Sequence, residues 1–311
     1  MEHFDSGATL AALPFDRLIA ALGAMFECGC EVPPRHVHVI PAPDGGGMTS
    51  LIMPAWQAGR YFGVKTVNIA PGNAAHGLPG LHSTYILYDA VRGQPLALID
   101  GNQITNRRTA AASALAAKRL ARADARCLLI VGAGQVASLL ADAYRAVLPI
   151  EQVLVWARSA AQAASLARAL RGKGIDAAAA NDLEAAAKRA DVVSCATLAT
   201  EPVVQGRWLQ PGSHLDLIGS FTPAMREADD ECFAASSIFV DTTEALQKSG
   251  ELLGPISRGI FAAGQVKATL YELCRGSAPG RQSPSERTVF KSVGTALEDL
   301  AAAIMVYESG R

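Results

Sequence analysis

No stretch of this chain concentrates charge of one sign: 28 Lys and Arg stand against 29 Asp and Glu, for a net charge of -1. A nucleic-acid footprint or attachment to anionic lipid needs a cationic patch, so neither partner is expected and a small neutral or zwitterionic ligand is. Long apolar runs are missing as well. Half the residues are hydrophobic, yet none of the runs reaches the length of a membrane span. The opening MEHFDSGATLAALPFDRLIAALGAMF carries acids early and has the pattern of one amphipathic helix, unlike a secretory leader. The six cysteines, Cys28, Cys30, Cys127, Cys195, Cys232 and Cys274, lack the paired spacings of a zinc site or a disulfide framework. Cys28-Gly-Cys30 and His36-Val-His38 each offer two ligands on one strand face, but no second cluster completes a coordination sphere, so no metal is expected. Together these features point to a reduced, cytoplasmic, globular protein without repeats or low-complexity segments.

The length of 311 residues allows two domains with separate cores. Through about residue 118 the strand-like runs VHVI, SLIMPA, VKTVNI, YILYDA and PLALID are separated by Gly- and Pro-rich turns such as APDGGG, which predicts a mostly antiparallel or mixed sheet. From Cys127 the texture changes. CLLIV, QVLVWA, DVVSCA, HLDLIG and SIFVD alternate with Ala-rich helical stretches, the pattern of a doubly wound parallel sheet. A helix starting near Thr105 or Asn106 joins the halves, and the tail after Gly294 is helical. The expected organisation is α/β: residues 1–118 with 290–311 as a mixed α+β domain, and residues 119–289 as a Rossmann domain.

The stretch CLLIVGAGQVASLLADAY carries the clearest chemistry. A buried strand runs into Gly132-Ala-Gly134-Gln135-Val136-Ala137 and then a helix, the context of a dinucleotide site. Gly132 permits the tight turn, Gly134 lets a pyrophosphate approach the backbone, and Ala137 allows close helix packing. The helix N-terminus, with Gln135 and Val136, supplies N–H donors to the phosphates. At the end of the next strand, VLVWARSA, an NAD-specific site would place an acid for the ribose hydroxyls. Here Arg158 and Ser159 stand instead, suited to a 2′-phosphate, so NADP(H) is preferred and NAD(H) remains possible.

In the first half Lys65 interrupts GVKTVNI and shares a face with Val67 and Ile69. If that face is inward, its ammonium must be paired or in contact with a ligand; otherwise it snorkels to a sheet edge. Arg108-Thr109, expected at a helix start, combine a fixed positive charge with helix N-terminal donors and suit a substrate carboxylate, with a salt bridge to a nearby Asp as the alternative.

GVKTVNIAPGN, GLPGLHSTYILYDAVRGQPLALIDGNQITNRRTAAASALAAKRLA, VGAGQ, ADVVSCAT, VDTTEALQKSGEL and FKSVGTALEDLAAA together resemble the ornithine cyclodeaminase and mu-crystallin family, in motif order from about Val32 onward. The resemblance implies a homodimer whose N-terminal substrate domain is completed by the C-terminal helix, beside a Rossmann domain for a nicotinamide cofactor. It implies that Arg35, Lys65 and Arg108 hold the substrate carboxylate and neighbouring polar groups, with Lys65 and Arg108 catalytic and Thr84 on the substrate side. Thr109, Thr197, Ser220, Ser292, Val293 and Gly294 match segments near the cofactor.

Members of the resembled family run different reactions, so the site must decide among them. The cyclodeaminases resembled here carry an acid just after the strand, in a pattern like GxDxPGKxEL, where this chain has Gly219-Ser220-Phe221-Thr222-Pro223-Ala224-Met225-Arg226-Glu227. Cyclodeamination of ornithine needs a positioned base, and Phe221 cannot serve. Reduction of a cyclic imine needs only an anchored carboxylate, a hydride and one proton, brought by the ketiminium itself, by Lys65 or by water. The expectation is therefore an NADPH-dependent ketimine reductase acting on Δ1-pyrroline-2-carboxylate and Δ1-piperideine-2-carboxylate, with Phe221 lining the pocket. Ornithine cyclodeaminase, an amino acid dehydrogenase and a crystallin-like NADP-bound binding protein are the alternatives. The first would require Glu227 or Asp229, both expected in a solvated helix start, to reach the site.

Overall fold

The computed structural model describes residues 1–43 and 46–310; Asp44 and Gly45 of the expected APDGGG turn and Arg311 lie outside the described residues. Residues group into two units, Met1–Arg108 with Thr295–Arg311, and Thr109–Gly294.

The first unit holds a six-stranded mixed sheet. Its strands are β1 (Glu2–Phe4), β2 (His36–Pro41), β3 (Gly47–Trp56), β4 (Tyr61–Ile69), β5 (Leu81–Asp89) and β6 (Pro95–Asp100), in the order β1-β6-β5-β4-β3-β2. β1 runs parallel to β6 and the remaining neighbours are antiparallel. Strict alternation buries Gly63, Lys65 and Val67 of β4 and Tyr85 and Leu87 of β5, which lie on one face of the pleat. The helix Ala296–Ser309 packs on β3 to β6 and is buried from Ala296 to Tyr307, as expected of a helix that is apolar nearly all round. Beside it lies Phe15–Cys28, which buries Phe15, Leu18, Ile19, Leu22, Met25 and Phe26.

The opening segment is not the single helix expected. It forms β1, a short helix Ser6–Ala12 and the helix Phe15–Cys28, the two helices bent by 76°. Pro14 has extended backbone and sits at the N-cap of the second helix; proline is tolerated there but breaks a helix interior. Among the described residues no single helix is long and apolar enough to cross a membrane.

The second unit holds β7 (Cys127–Val131), β8 (Gln152–Trp156), β9 (Asp176–Ala179), β10 (Val192–Cys195), β11 (His214–Leu217), β12 (Ser237–Val240), β13 (Ala268–Thr269) and β14 (Thr288–Lys291). They form one sheet in the order β13-β12-β14-β11-β10-β7-β8-β9, parallel throughout. The order reverses between β7 and β10, the topological switch point at which such sheets bind ligands beyond their strand ends. β14 is a central strand of this sheet, which moves the second boundary from the expected 289/290 to 294/295.

The joining helix is Gly101–Leu120, beginning four or five residues before the expected start. Asp100 explains the early start: its carboxylate accepts the Gln103 amide at 2.8 Å, as an N-cap does. The first boundary, expected at 118/119, falls inside this helix at 108/109.

Candidate active site

In the first unit the inward face of β4 carries a buried ion cluster. Lys65 is 1% exposed, and its ammonium lies 2.7 Å from Asp299 Oδ2. Snorkelling is thereby excluded. Arg108 Nε donates to Asp299 Oδ1 at 2.9 Å and its Nη1 to Glu298 Oε2 at 2.7 Å. The two acids occupy the first turn of Ala296–Ser309, capped by Thr295, where the helix dipole favours negative charge. Two cations thus face two anions away from water, and removing any one would strand a buried charge. Burial pushes the Lys65 ammonium down to about 8 against the pull of Asp299. Burial works against both Arg108 and Asp299, yet their mutual pairing and that with Lys65 and Glu298 hold Arg108 above its usual value and Asp299 below the usual carboxylate range.

The other substrate-side expectations divide. Arg35 is half-buried just before β2, whose first residue pairs with Ile52, while Met53 pairs with Lys65. Arg35 therefore stands near the level of Lys65, two strands away. Thr84 pairs with Thr66 and is exposed, so alternation sets it on the face opposite Lys65 and Tyr85. The helix start moves Arg108-Thr109 about two turns inside the helix, so their amides belong to its ladder and are not the free N-terminal donors expected of them.

In the second unit the glycine turn opens on the switch point. Gly132 has φ +127°, and a Cβ there would lie 2.5 Å from the Ala196 carbonyl oxygen at the end of β10, so only glycine fits. Gly134 and Gln135 are exposed, and a Cβ on Gly134 would meet nothing within 4 Å. Val136 precedes the helix Ala137–Arg145, with Ala137 buried. An exposed backbone turn at a helix N-terminus suits a pyrophosphate. Beyond β8, Arg158 is exposed and Ser159 caps the helix Ala160–Gly172, its hydroxyl accepting the Gln162 amide. These residues fit a dinucleotide.

Around the remaining strand ends, buried carboxylates organise the loops. Glu227 is fully buried, a correction to the solvated helix start expected for it. Its Oε1 accepts from the amide and hydroxyl of Thr197 at 2.7 and 2.9 Å, and its Oε2 from the Gly219 amide at 2.7 Å. Glu251 accepts the amides of Glu227 and Ala228. Asp241 accepts those of Val293 and Gly294 at 2.8 and 2.7 Å, which fixes the turn after Ser292. Lys291, at the end of β14, donates to the Leu217 carbonyl at 2.7 Å. Burial pushes Glu227 up to about 7, against Lys291. Ser220 turns its hydroxyl inward onto the Met225 carbonyl at 2.8 Å and faces Ser249, while the next residue, Phe221, is 42% exposed. Asp229 accepts the amides of Gly206 and Cys232.

Sequence reasoning missed Glu298, Asp299, Asp241, Glu251 and Lys291. The signal for the first two was present: adjacent acids in the first turn of a helix too apolar to present a solvated face.

A parallel sheet with this strand order, a glycine turn at its switch point and a separate unit holding buried cations define a Rossmann-type oxidoreductase. The particular family follows from comparison: the chain belongs to the ornithine cyclodeaminase/mu-crystallin family, matching it over residues 16–311. It is 47% identical over 278 residues to the Delta(1)-pyrroline-2-carboxylate reductase of Paracoccus denitrificans, covering 88% of this chain and 87% of the relative. Among solved structures, the Thermococcus litoralis Delta(1)-pyrroline-2-carboxylate reductase in complex with NADH and L-proline is similar with a TM-score of 0.92 and 32% identity, over 100% of this chain and 97% of that one. An archaeal alanine dehydrogenase dimer with bound NAD gives 0.91 and 30%, over 100% and 96%.

Proposed function

We propose that this protein is an NADPH-dependent ketimine reductase that converts Δ1-pyrroline-2-carboxylate to proline and Δ1-piperideine-2-carboxylate to pipecolate. The observation that carries the reading is the Lys65 ammonium, buried and held at 2.7 Å by Asp299. It is a proton donor whose acidity, near 8, suits delivery to an imine nitrogen close to neutral pH. Arg35 and Arg108 neutralise the imino acid's carboxylate, and Phe221 gives the ring an apolar surface. A bound nicotinamide supplies the hydride. As the C=N carbon is reduced, Lys65 passes its proton to the nitrogen, becomes a neutral amine and recovers a proton from solvent. The Gly132–Ala137 turn would hold the pyrophosphate, and Thr197 with Ser292, Val293 and Gly294 would border the nicotinamide.

Cofactor choice rests on Arg158, an exposed guanidinium beyond β8 where an NAD-specific site would carry an acid. Homodimerisation is supported by β2, a sheet edge whose Val37, Val39 and Ile40 are 56%, 77% and 43% exposed; such an edge is normally covered. The cyclodeaminase alternative loses its candidate acids, since the Glu227 carboxylate binds Thr197 and Gly219 and that of Asp229 binds Gly206 and Cys232. The similarity to an archaeal alanine dehydrogenase favours a second reading, reductive amination of an open-chain keto acid.

One steady-state experiment separates these readings. The purified protein should oxidise NADPH faster than NADH with either cyclic imine, and show little turnover with pyruvate plus ammonia. Ornithine with NAD should give no proline; robust ornithine turnover would overturn the assignment. Lys65→Met should abolish turnover while cofactor binding persists.

A further inference from the structure

Asp299 touches both Lys65 and Arg108 through its side chain, one carboxylate oxygen to each, at 2.7 and 2.9 Å. The three groups come from different parts of the chain: β4, the helix Gly101–Leu120 and the first turn of Ala296–Ser309. All are buried, so Coulomb forces among them are weakly screened. A carboxylate has two oxygens at fixed separation, and bridging two cations with it fixes the distance between them.

We infer that Asp299 is a positioning residue: its carboxylate sets the spacing of Lys65 and Arg108 and keeps Lys65 a proton donor, so that the pair fits imino acids whose C=N and carboxylate share one carbon. In such a ligand the nitrogen to be protonated and the carboxylate to be neutralised are separated by only two bonds through carbon, and a donor and a guanidinium tied to one bridging group reproduce that closeness. The inference rests on the reductase reading and deepens it. It also predicts that imines whose carboxylate lies farther along the chain are poor substrates.

The groups that face Asp299 decide what titrates. β4 brings Lys65, β5 brings Tyr85, the helix Gly101–Leu120 brings Arg108, and Glu298 is its own neighbour. Burial holds the Tyr85 phenol well above its usual value, and Cys30, which interacts with Tyr85, is pushed up by burial to about 12. Both are neutral at pH 8, which leaves Lys65 as the member of the cluster that changes charge there. Removing the Asp299 charge takes away the anion that favours the ammonium and also leaves Arg108 less compensated. Both changes push Lys65 to titrate at lower pH.

The test is the pH profile of kcat/KM for Δ1-pyrroline-2-carboxylate in the intact enzyme, its Asp299→Asn, Asp299→Glu and Glu298→Gln variants. In wild type the rate should fall as pH rises through about 8. Asp299→Asn should move this limb to lower pH by about one unit or more and raise the KM for the imine. Asp299→Glu, which keeps the charge, should hold the limb close to its wild-type position. Glu298→Gln, which loses the Arg108 ion pair and a Coulombic pull on Lys65 weaker than that of Asp299, should raise KM with a clearly smaller displacement of the limb. An unmoved limb in an Asp299→Asn enzyme that still turns over, or equal shifts for Asn at 299 and Gln at 298, would overturn the inference. Should wild type reduce no cyclic imine, or Asp299→Asn not fold, carbon-13 NMR of the wild-type protein decides. With Lys65 assigned through Lys65→Met, its Cε and the Asp299 Cγ should report one shared titration step; independent steps overturn the coupling while leaving the reductase reading to stand or fall on the assay.

Discussion

Gly219 donates its amide hydrogen to Glu227 Oε2 at 2.7 Å, and the other oxygen of the same carboxylate takes both the amide and the hydroxyl of Thr197. One side chain therefore ties the loop after β10 to the loop after β11. Because both oxygens accept backbone N–H groups, an amide cannot replace the carboxylate: glutamine has one acceptor and turns an NH2 toward the other donor. Glu227→Gln should cost about 1–3 kcal/mol of stability, the usual penalty for a buried donor left unmet. It should also weaken cofactor binding several-fold, read by denaturant unfolding and by quenching of tryptophan fluorescence on titration with NADPH. Unchanged cofactor affinity in a destabilised variant would make Glu227 a purely structural tie. Gly219→Ala should be more severe, since its Cβ would overlap the Thr197 carbonyl oxygen and the Glu227 carboxylate.

Arg158 stands exposed beyond β8, beside the helix cap Ser159. A solvated guanidinium that meets a 2′-phosphate contributes on the order of 1–3 kcal/mol through a charge-assisted hydrogen bond. Arg158→Ala should raise the KM for NADPH roughly tenfold or more and leave that for NADH within about twofold. Equal losses with the two cofactors would place Arg158 outside the 2′-phosphate site.

Phe221 follows the inward-turned Ser220 and is itself 42% exposed. If Phe221 lines the imine site as proposed, an ionised carboxylate at that point would repel an imino acid's carboxylate and remove an apolar contact for its ring. Phe221→Asp should therefore lower kcat/KM for the cyclic imines by at least about tenfold, corresponding to 1.4 kcal/mol. Measuring ornithine turnover in the same variant shows how much of the difference between reduction and cyclodeamination resides at this position.

Asp216, in the middle of β11, is buried and accepts hydroxyls from Ser113, Tyr144 and Ser194. Burial raises it from 3.8 to about 6 despite these donors. The folded protein then binds more protons than the unfolded chain between those two values, so this group's contribution to stability is greatest below 3.8 and is lost as pH rises to about 6. The stability difference between wild type and Asp216→Asn, followed by urea unfolding, should shift against wild type over that window by up to about 3 kcal/mol, at about 1.4 kcal/mol per unit. A pH-independent difference would mean that Asp216 titrates normally in the fold.

Much of this architecture is legible in local patterns. Every quoted strand run of the two halves forms a strand, because β-rich composition bounded by turn residues is a local property, even in β2, which is exposed throughout, and the strand-turn-helix context of Gly132 and Gly134 is equally local. What escaped depends on partners distant in sequence. Asp299 meets Lys65 and Arg108, which are remote along the chain, so the apolar helix around Glu298-Asp299 signals that the acids are buried without naming the cations that receive them. Glu227 sits in a segment with the look of a helix start, and its burial comes from the strand ends it joins. Thr288–Lys291 was obscured by Lys291, a lysine that a sheet interior accepts only because it reaches the Leu217 carbonyl and several carboxylates. Pro14 and Asp100, by contrast, carried their information openly as a helix breaker and a cap.

The helix that neutralises Lys65 and Arg108 is separated from them by the entire second unit. During synthesis, which proceeds from the N-terminus, both cations emerge long before Glu298 and Asp299 do. Until that helix arrives, Glu298 and Asp299, the anions that pair with these cations among the described residues, are missing, and the sheet face cannot close around the two charges without a heavy desolvation cost. The first unit to begin emerging from the ribosome is thus the last able to finish folding. A stop codon shortly before residue 295 would release a chain whose first unit carries an unpaired lysine and arginine on the face that the missing helix covers, a ready target for proteases.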